Sequence, residues 1–330
     1  MDTVSVVVPI FNEENYIEGF INSIKSQDYD FNKIEVLLVD GNSSDKTLEK
    51  LKNILKDNPF SYKILNNNKR ITPISLNMAI KEAKNDIIIR LDAHSTYPAN
   101  YISKCVYYIN NIDADSVGCN VKAEASGSLG QAISNVLSSK FGVGNSKFRT
   151  SAKSGYVDTV PFGTFRRELF DRIGYYDERL ERNQDSEFSS RIIKNGGKIY
   201  LFDDINITYY PRNTILKLIK MALKNGSWNL YTNYLCPGSM KLRHFIPFIF
   251  VLYLIFGITV SILNISFLKY AFLGVLLIYF ILDFIFSFKE IKDSRLLVCL
   301  ISFVVYPIFH INYGLGTFGG FYLIVKKGKK

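Results

Sequence analysis

Val4–Ile10 is a continuous apolar run rich in β-branched residues, the pattern of a strand buried on both faces. Behind it, Ile17, Phe20, Ile21 and Ile24 recur at helical spacing within Glu14–Ser26. Ile34–Val39 predicts a second buried strand, and Lys46–Lys56 a helix that Ser44 or Asp45 can cap. Tyr62–Leu65 reads as a short third strand, Ile74–Ala83 as a helix and Asp86–Leu91 as a fourth strand. This alternation predicts βαβ units and a mostly parallel sheet flanked by helices, an α/β architecture. Such sheets bind ligands at the carboxyl ends of their strands. Asn12, Glu13, Asp40 and Asp92 fall there, so three separate strands each deliver a carboxylate to one edge.

From Asp113 to Asp158 the chain is rich in Gly and Ser and weakly periodic, which predicts loops and one helix near Leu129–Leu137. Val157–Pro161 restores a strand, Glu168–Ile173 a helical turn and Gln184–Lys194 a helix stopped by Asn195-Gly196-Gly197. Lys198–Phe202 is a late strand. Pro211 opens a helix in which Lys217, Lys220 and Lys224 share one face, with Ile215, Leu218 and Leu223 nearby. That is the pattern of a membrane-surface helix. Three long apolar runs follow: Phe245–Leu268 without a charge, Tyr270–Phe288 with one Asp, and Leu296–Val325 with His310 as its one acidic or basic side chain. Runs of this length suit a membrane, since about 20 residues cross the hydrocarbon core. The divisions expected are a catalytic domain over 1–210, interfacial helices over 211–243 and a transmembrane or re-entrant anchor over 244–330.

Charge separates the same halves. The net +10 resolves into 26 Lys/Arg against 27 Asp/Glu over residues 1–210, and 14 against 3 over residues 211–330. A nucleic-acid binder would carry its basic residues on the polar domain, so that class is set aside and anionic lipid takes its place. Met1-Asp2-Thr3 lacks the basic start of a signal peptide, so residues 1–210 are expected in the cytosol. Lys241, Arg243, the segment Lys289–Arg295 and the tail Lys326–Lys330 are expected on that side too, by the positive-inside rule. Three plain crossings would leave the tail outside. Pro307, Gly314, Gly316, Gly319 and Gly320 favour a re-entrant or interfacial course for the last run, with three crossings as the alternative. Asp283 and His310, inside apolar runs, are either functional groups or polar packing residues. Trp228 and Tyr231 suit the lipid interface. Four scattered cysteines without C-x-x-C spacing fit buried thiols in a reducing compartment.

Ser5–Glu14 (SVVVPIFNEE), Val36–Asp45 (VLLVDGNSSD) and Ile89–Tyr97 (IRLDAHSTY) resemble the nucleotide-sugar half of family 2 glycosyltransferases. Thr159–Tyr200, with Phe162-Gly163-Thr164 and Arg182-Asn183-Gln184-Asp185, resembles their acceptor half. His310–Gly320 (HINYGLGTFGG) is similar to the C-terminal membrane segment of the succinoglycan-type, ExoA-like branch. The resemblance implies a GT-A fold, Rossmann-like, followed by transmembrane helices. It implies a nucleotide-sugar donor, of UDP type, bracketed by Pro9, Phe11 and Glu13, with Asp40 at the base edge and Arg70 nearby. Asp40 could equally be the capping Asp of a βα turn.

Asp92 and His94 stand where the family carries Asp-x-Asp, which implies a divalent cation on the diphosphate. Imidazole suits Mn²⁺ better than Mg²⁺, and either ion is kept open. The bland alternative is that Asp92 caps a turn and His94 is a surface residue. Asp185 aligns with the family's general base, with Glu187 as competitor and a helix N-terminal charge as the bland alternative. Phe162, Gly163, Thr164 and Arg166 align with the acceptor loop, although Arg166 and Arg167 are equally ordinary helix-start arginines.

The Gln-x-x-Arg-Trp signature of processive synthases is missing, which points to one sugar added per encounter. The function expected is a multi-pass enzyme of the cell membrane with a cytosolic catalytic domain. It would pass one sugar, with inversion, to a lipid-linked saccharide in polysaccharide or glycan biosynthesis. Transfer to a bare polyprenyl phosphate is the enzymatic alternative, and a catalytically silent membrane scaffold that binds nucleotide is the alternative of another class.

Overall fold

The computed structural model describes residues 2–210, 214–289 and 296–328. The chain forms two compact units, one of residues 1–122 and 151–210 and the other of residues 123–150 and 211–330.

In the first unit, β1 (Val4–Ile10), α1 (Ile17–Lys25), β2 (Ile34–Asp40), α2 (Thr47–Ile54), β3 (Ser61–Asn66), α3 (Thr72–Glu82) and β4 (Ile87–Arg90) alternate as the hydrophobic pattern predicts. β1 lies at the centre, parallel to β2 from Val4↔Ile34 to Ile10↔Asp40 and parallel to β4 from Val4↔Ile87 to Val7↔Arg90. Val4, Val6, Val7 and Val8 are buried, as a strand covered on both faces requires. After β5 (Ser95–Thr96) and α4 (Tyr101–Asn111), β6 (Ser116–Ala123) enters the sheet. The chain then lends α5 (Gly127–Ser138) and α6 (Lys140–Val143) to the second unit. It returns through β7 (Gly155–Tyr156), β8 (Thr164–Arg166), α7 (Glu168–Ile173), α8 (Gln184–Lys194) and β9 (Ile199–Tyr209).

The sheet order is β3-β2-β1-β4-β8-β6-β9-β5, with β7 on β9. It is parallel through β3-β2-β1-β4, and β8 then pairs antiparallel with both β4 and β6. Two expectations change. Val157–Pro161 is not a strand: Val157 N–H reaches Ile199 O, and regular pairing resumes at Thr164. β9 is longer than Lys198–Phe202 because buried Ile205 and Ile207 continue its alternation.

The second unit packs α5 against α9 (Ile215–Leu235) and α12 (Leu296–Lys327). Ile133, Val136 and Leu137 meet Leu218, Ala222, Val305, Tyr306 and Phe309 in one apolar cluster. Lys217, Lys220 and Lys224 stay exposed, so α9 is amphipathic; its expected opening at Pro211 lies outside the described residues. α10 (Ile246–Ile262) and α11 (Ser266–Phe288) form a hairpin whose turn is closed by Asn264 in the left-handed region (φ 54°). The tight side of that hairpin is Gly257, where a Cβ would lie 2.0 Å from the Phe272 ring. α11 and α12 are each long and apolar enough to cross a membrane, and α10 is a shorter apolar helix. Beyond Lys289 the expected basic segment, and beyond Gly328 the tail, lie outside the described residues.

α12 corrects the expected break. It is one helix of 32 residues with Pro307 inside it, and its glycines are contact points rather than breakers. A Cβ on Gly226 of α9 would lie 2.0 Å from Tyr313 O, and one on Gly316 of α12 would lie 2.2 Å from Leu223 O. Gly320 likewise sits against Ser227 O and Leu230, so the two helices run parallel at backbone contact through a G-x-x-x-G stripe. Trp228 and Tyr231, expected at the lipid interface, are buried on this seam, with Lys327 4.7 Å from the Trp228 ring. His310 is a packing residue by its contacts. Its Nε2 lies 3.0 Å from Phe141 O and its Nδ1 2.9 Å from the Tyr279 hydroxyl, which ties α12 to α6 and α11. Asp283 is buried with Ser287 donating to Oδ1.

Candidate active site

The carboxyl ends of β1, β2 and β4 open onto a cleft of about 170 Å³. Asn12, just past β1, has φ 55°; its N–H donates to Ser43 Oγ, and its side-chain oxygen accepts from Ser44 N–H at 2.8 Å. These bonds tie the β1 turn to the β2 turn. Pro9, Phe11, Glu13, Arg70, Asp92 and His94, all expected at the site, line this one cleft. The Arg70 guanidinium lies 5.7 Å from the Phe11 ring, and Phe11 is left 46% exposed, an open aromatic face beside a cation. Thr72 and Ser75 of α3, together with Arg90 and Gln184, complete the wall and were not expected there.

Asp40 has another place. It is buried, and its carboxylate accepts from Ser43 N–H (3.1 Å) and Ser43 Oγ (2.6 Å), the turn-capping geometry. Its neighbour Gly41 lines the cleft instead. The four residues expected at the acceptor side also have structural partners. The Phe162 carbonyl accepts from Tyr101, a Cβ on Gly163 would lie 2.4 Å from the Phe165 ring, and Thr164 is buried in β8. Arg166 donates to Asn110 Oδ1 at 2.8 Å, and Arg167 to Ala83 O at 2.9 Å.

Glu13 and His94 meet in the cleft, with His94 Nδ1 donating to Glu13 Oε1 at 3.1 Å. Burial opposes charge on the imidazole, but the Glu13 hydrogen bond and the Asp92 charge outweigh it, so its pKa is raised. With Nδ1 taken, Nε2 is the ring nitrogen left for a ligand. Among the described residues no trio of His, Cys, Asp or Glu side chains could hold a metal ion by itself. Asp92 and His94 both line the cleft and bring a carboxylate and an imidazole, donor types that suit a divalent cation.

The residue that joins this edge to the rest of the site is Arg90, the last residue of β4 and 3% exposed. Its Nη2 donates to Asp92 Oδ1 at 3.1 Å, and its Nη1 forms a close ion pair with Asp185 Oδ1. Asp92 is therefore held by an arginine rather than capping the turn that follows. Burial works against the Arg90 charge, and the two carboxylates more than offset it, so the guanidinium stays protonated. Asp185 sits in the first turn of α8, after Asn183 in the left-handed region (φ 62°). Burial raises its pKa, Arg90 opposes that, and Asp92 adds to it. Glu187 does not compete for the site: it is buried, and Arg191 donates to both of its oxygens at 2.8 Å. Arg90 was legible only as a charged residue closing an otherwise apolar strand two places before Asp92.

A mixed sheet with a carboxylate-edged cleft at its parallel strand ends, followed in the chain by apolar helices, defines a GT-A glycosyltransferase. A model of glycosyl transferase family 2 matches residues 5–174, and the chain belongs to that family. Succinoglycan biosynthesis protein ExoA of Rhizobium meliloti is 31% identical over 264 residues, 78% of each chain. A dolichyl N-acetyl-α-D-glucosaminyl phosphate 3-β-D-2,3-diacetamido-2,3-dideoxy-β-D-glucuronosyltransferase of Methanococcus voltae is 29% identical over 234 residues, 69% of this chain and 73% of that one. The mannosyltransferase PcManGT of Pyrobaculum calidifontis, solved with GDP-Man and Mn²⁺, shares the fold at a TM-score of 0.57 and 17% identity, covering 99% of this chain and 88% of that one.

Proposed function

We infer that the chain is a membrane-bound inverting glycosyltransferase that moves one sugar from a nucleotide-sugar donor, of UDP type, to a lipid-linked saccharide in glycan or polysaccharide synthesis. The observation that carries this reading is the joining of Asp92 and Asp185 through Arg90, which sets a donor-side carboxylate and a base-side carboxylate on one buried cation. Phe11 and Arg70 offer the base and ribose an aromatic face and a charge, and Asp40 supports them through the Ser43 turn. Asp185 takes the proton of the attacking acceptor hydroxyl while the nucleoside diphosphate departs from the opposite face of the sugar. Asp92 and His94 would hold Mn²⁺ or Mg²⁺, which when bound would supply positive charge for the departing diphosphate. Phe162, Gly163 and Thr164 support the acceptor side from beneath, with the Phe162 ring under Arg90. Arg166, bonded to Asn110, lies apart from that work.

The lipid-linked acceptor is supported by the dolichyl-linked substrate named for the M. voltae relative. Transfer to a bare polyprenyl phosphate would call on arginines near Gly163, and Arg166 and Arg167 are engaged elsewhere. A silent scaffold would bind nucleotide without consuming a donor. The apolar helices α10, α11 and α12 form the membrane anchor of a multi-pass protein, and Lys241 and Arg243, just before α10, put the catalytic domain in the cytosol by the positive-inside rule.

The test is a panel of UDP-, GDP- and CDP-sugars with Mn²⁺, offered with a polyprenyl-diphosphate saccharide, a polyprenyl-phosphate saccharide or bare polyprenyl phosphate. One donor consumed with a saccharide acceptor supports the reading. Consumption with bare polyprenyl phosphate alone selects the enzymatic alternative, and none at all selects the scaffold. A second expectation follows from the Glu13–His94 bond, which orients the ring. Glu13→Gln is expected to raise the Mn²⁺ concentration for half-maximal activity by about 10–100-fold. An unchanged Mn²⁺ requirement would remove Glu13 from that role.

A further inference from the structure

We propose that Arg90 is a positioning residue that fixes the line between donor and base: its guanidinium holds Asp185 at a set distance from Asp92. The proposal rests on Asp185 being the base, as read above, and adds to that reading the device that places it. β4 is buried along Ile87–Arg90, so its last side chain is delivered into the cleft by a rigid central strand rather than a loop. The backbone there is locked on both sides, by parallel pairing to Val7 and by Arg90 N–H donating to Gly163 O at 3.1 Å. The guanidinium is held over the Phe162 ring, 5.5 Å from its centroid. Phe162 itself has φ 51°, a backbone state that a bulky side chain rarely adopts, and in it the ring sits under Arg90 while the carbonyl takes the Tyr101 hydroxyl.

From that seat the planar fork reaches two ways. Nη2 donates to Asp92 at 3.1 Å and 3.4 Å, and Nη1 pairs with Asp185. Without the arginine, Asp92, Asp185 and Glu13 would face an anionic donor as carboxylates near one cleft, and Asp185 would turn away from Asp92 or take up a proton. Either event removes the base from the acceptor hydroxyl. Lysine supplies the charge but not the fork, so its single ammonium cannot reach both carboxylates as the two Nη atoms do.

The test uses the full chain in detergent, with the nucleotide sugar selected by the donor panel and its own nucleoside diphosphate (UDP, GDP or CDP) with Mn²⁺ as the binding probe. Arg90→Lys is expected to lower kcat by about 10²-fold, the scale of a small misplacement of a reacting group. Affinity for the nucleoside diphosphate should stay within about 3-fold, since Asp92 keeps its carboxylate and a cation beside it, and Phe11 and Arg70 are untouched. In an Asp185→Asn background, adding Arg90→Lys should change the residual rate by less than about 3-fold, because both act through one group. Equal losses from Arg90→Lys in both backgrounds, or nucleotide affinity falling as far as kcat, would overturn the proposal. If Asp185→Asn leaves turnover at the wild-type level, the base reading itself fails, a distinct outcome. Phe162→Leu guards against misfolding of the first variant: removing the ring beneath the guanidinium should lower kcat in the Asp185 background and not in the Asn background. An unchanged kcat in a Phe162→Leu protein of normal thermal midpoint also counts against the proposal.

Discussion

Asp185→Asn lowers sugar transfer by about 10²–10⁴-fold, the usual contribution of a placed general base, while nucleotide binding survives. Asparagine keeps the shape of the side chain in the first turn of α8 but cannot accept the acceptor's proton. Burial holds the Asp185 pKa above the ordinary carboxylate value, which makes it a better proton acceptor than a solvated aspartate, and Arg90 keeps it ionised in reach of the cleft. Glu187→Gln serves as the contrast. Its carboxylate is clamped by Arg191, so the change should cost stability, about 1–3 kcal/mol for an unpaired buried partner, and leave kcat in the folded fraction near wild type. The check is steady-state transfer beside nucleotide titration for both variants. Loss of turnover in Glu187→Gln with retention in Asp185→Asn would exchange the two roles.

Gly316→Leu prevents the second unit from closing. At Gly316 and Gly226 the neighbours of a new Cβ are backbone atoms at 2.2 Å and 2.0 Å, and backbone cannot rotate away as a side chain can. The helices would have to separate along the whole seam from Ala222 to Leu230, exposing Trp228 and Tyr231 and opening the apolar cluster at Leu218 and Phe309. Overpacking at one core site costs about 1–3 kcal/mol, and a seam with no side chain to adjust belongs at or above the upper end. Gly274→Ala on α11 is the matched control, since nothing lies within 4 Å of its new Cβ. Thermal unfolding in detergent should show Gly316→Leu failing to give a folded, monodisperse protein and Gly274→Ala matching wild type. Equal behaviour of the two would mean that α9 and α12 do not pack through their glycines.

The parallel half of the sheet was legible because β1, β2 and β4 are apolar on both faces, and their ends point to Glu13, Asp92 and the cleft. α8 was legible from its glycine stop, and Asp185 was singled out by the family motif that it aligns with. What escaped depends on contacts distant in the chain. Ser116–Ala123 (SVGCNVKA) has small residues where a strand usually shows β-branched ones, and Gly118 is required because Val160 packs 2.9 Å from where its Cβ would be. Arg90 looked like the edge of a strand, and only the return of α8 to the sheet gives it Asp185. Asp40 matched a ligand-binding position, yet Ser43 three residues on satisfies it locally. Gly314–Gly320 signalled helix breaking, the rule for chains whose backbone meets water. Against another helix the same residues allow close approach. Around Leu129–Leu137 the sequence shows a helix, and nothing in it announces that this stretch leaves the sheet unit for the C-terminal helices.

The central claim is that the cleft between Phe11, Arg70, Asp92 and His94 receives the nucleotide diphosphate of the donor. Calorimetric titration of UDP and of GDP into the full chain, with Mn²⁺ and then with a chelator, tests it most directly when run beside Asp92→Asn. The account predicts that one nucleotide binds the wild type with Mn²⁺, at least about 10-fold more weakly under chelation and in Asp92→Asn. Binding of equal strength in all three conditions, or no binding of either nucleotide with Mn²⁺, would contradict it.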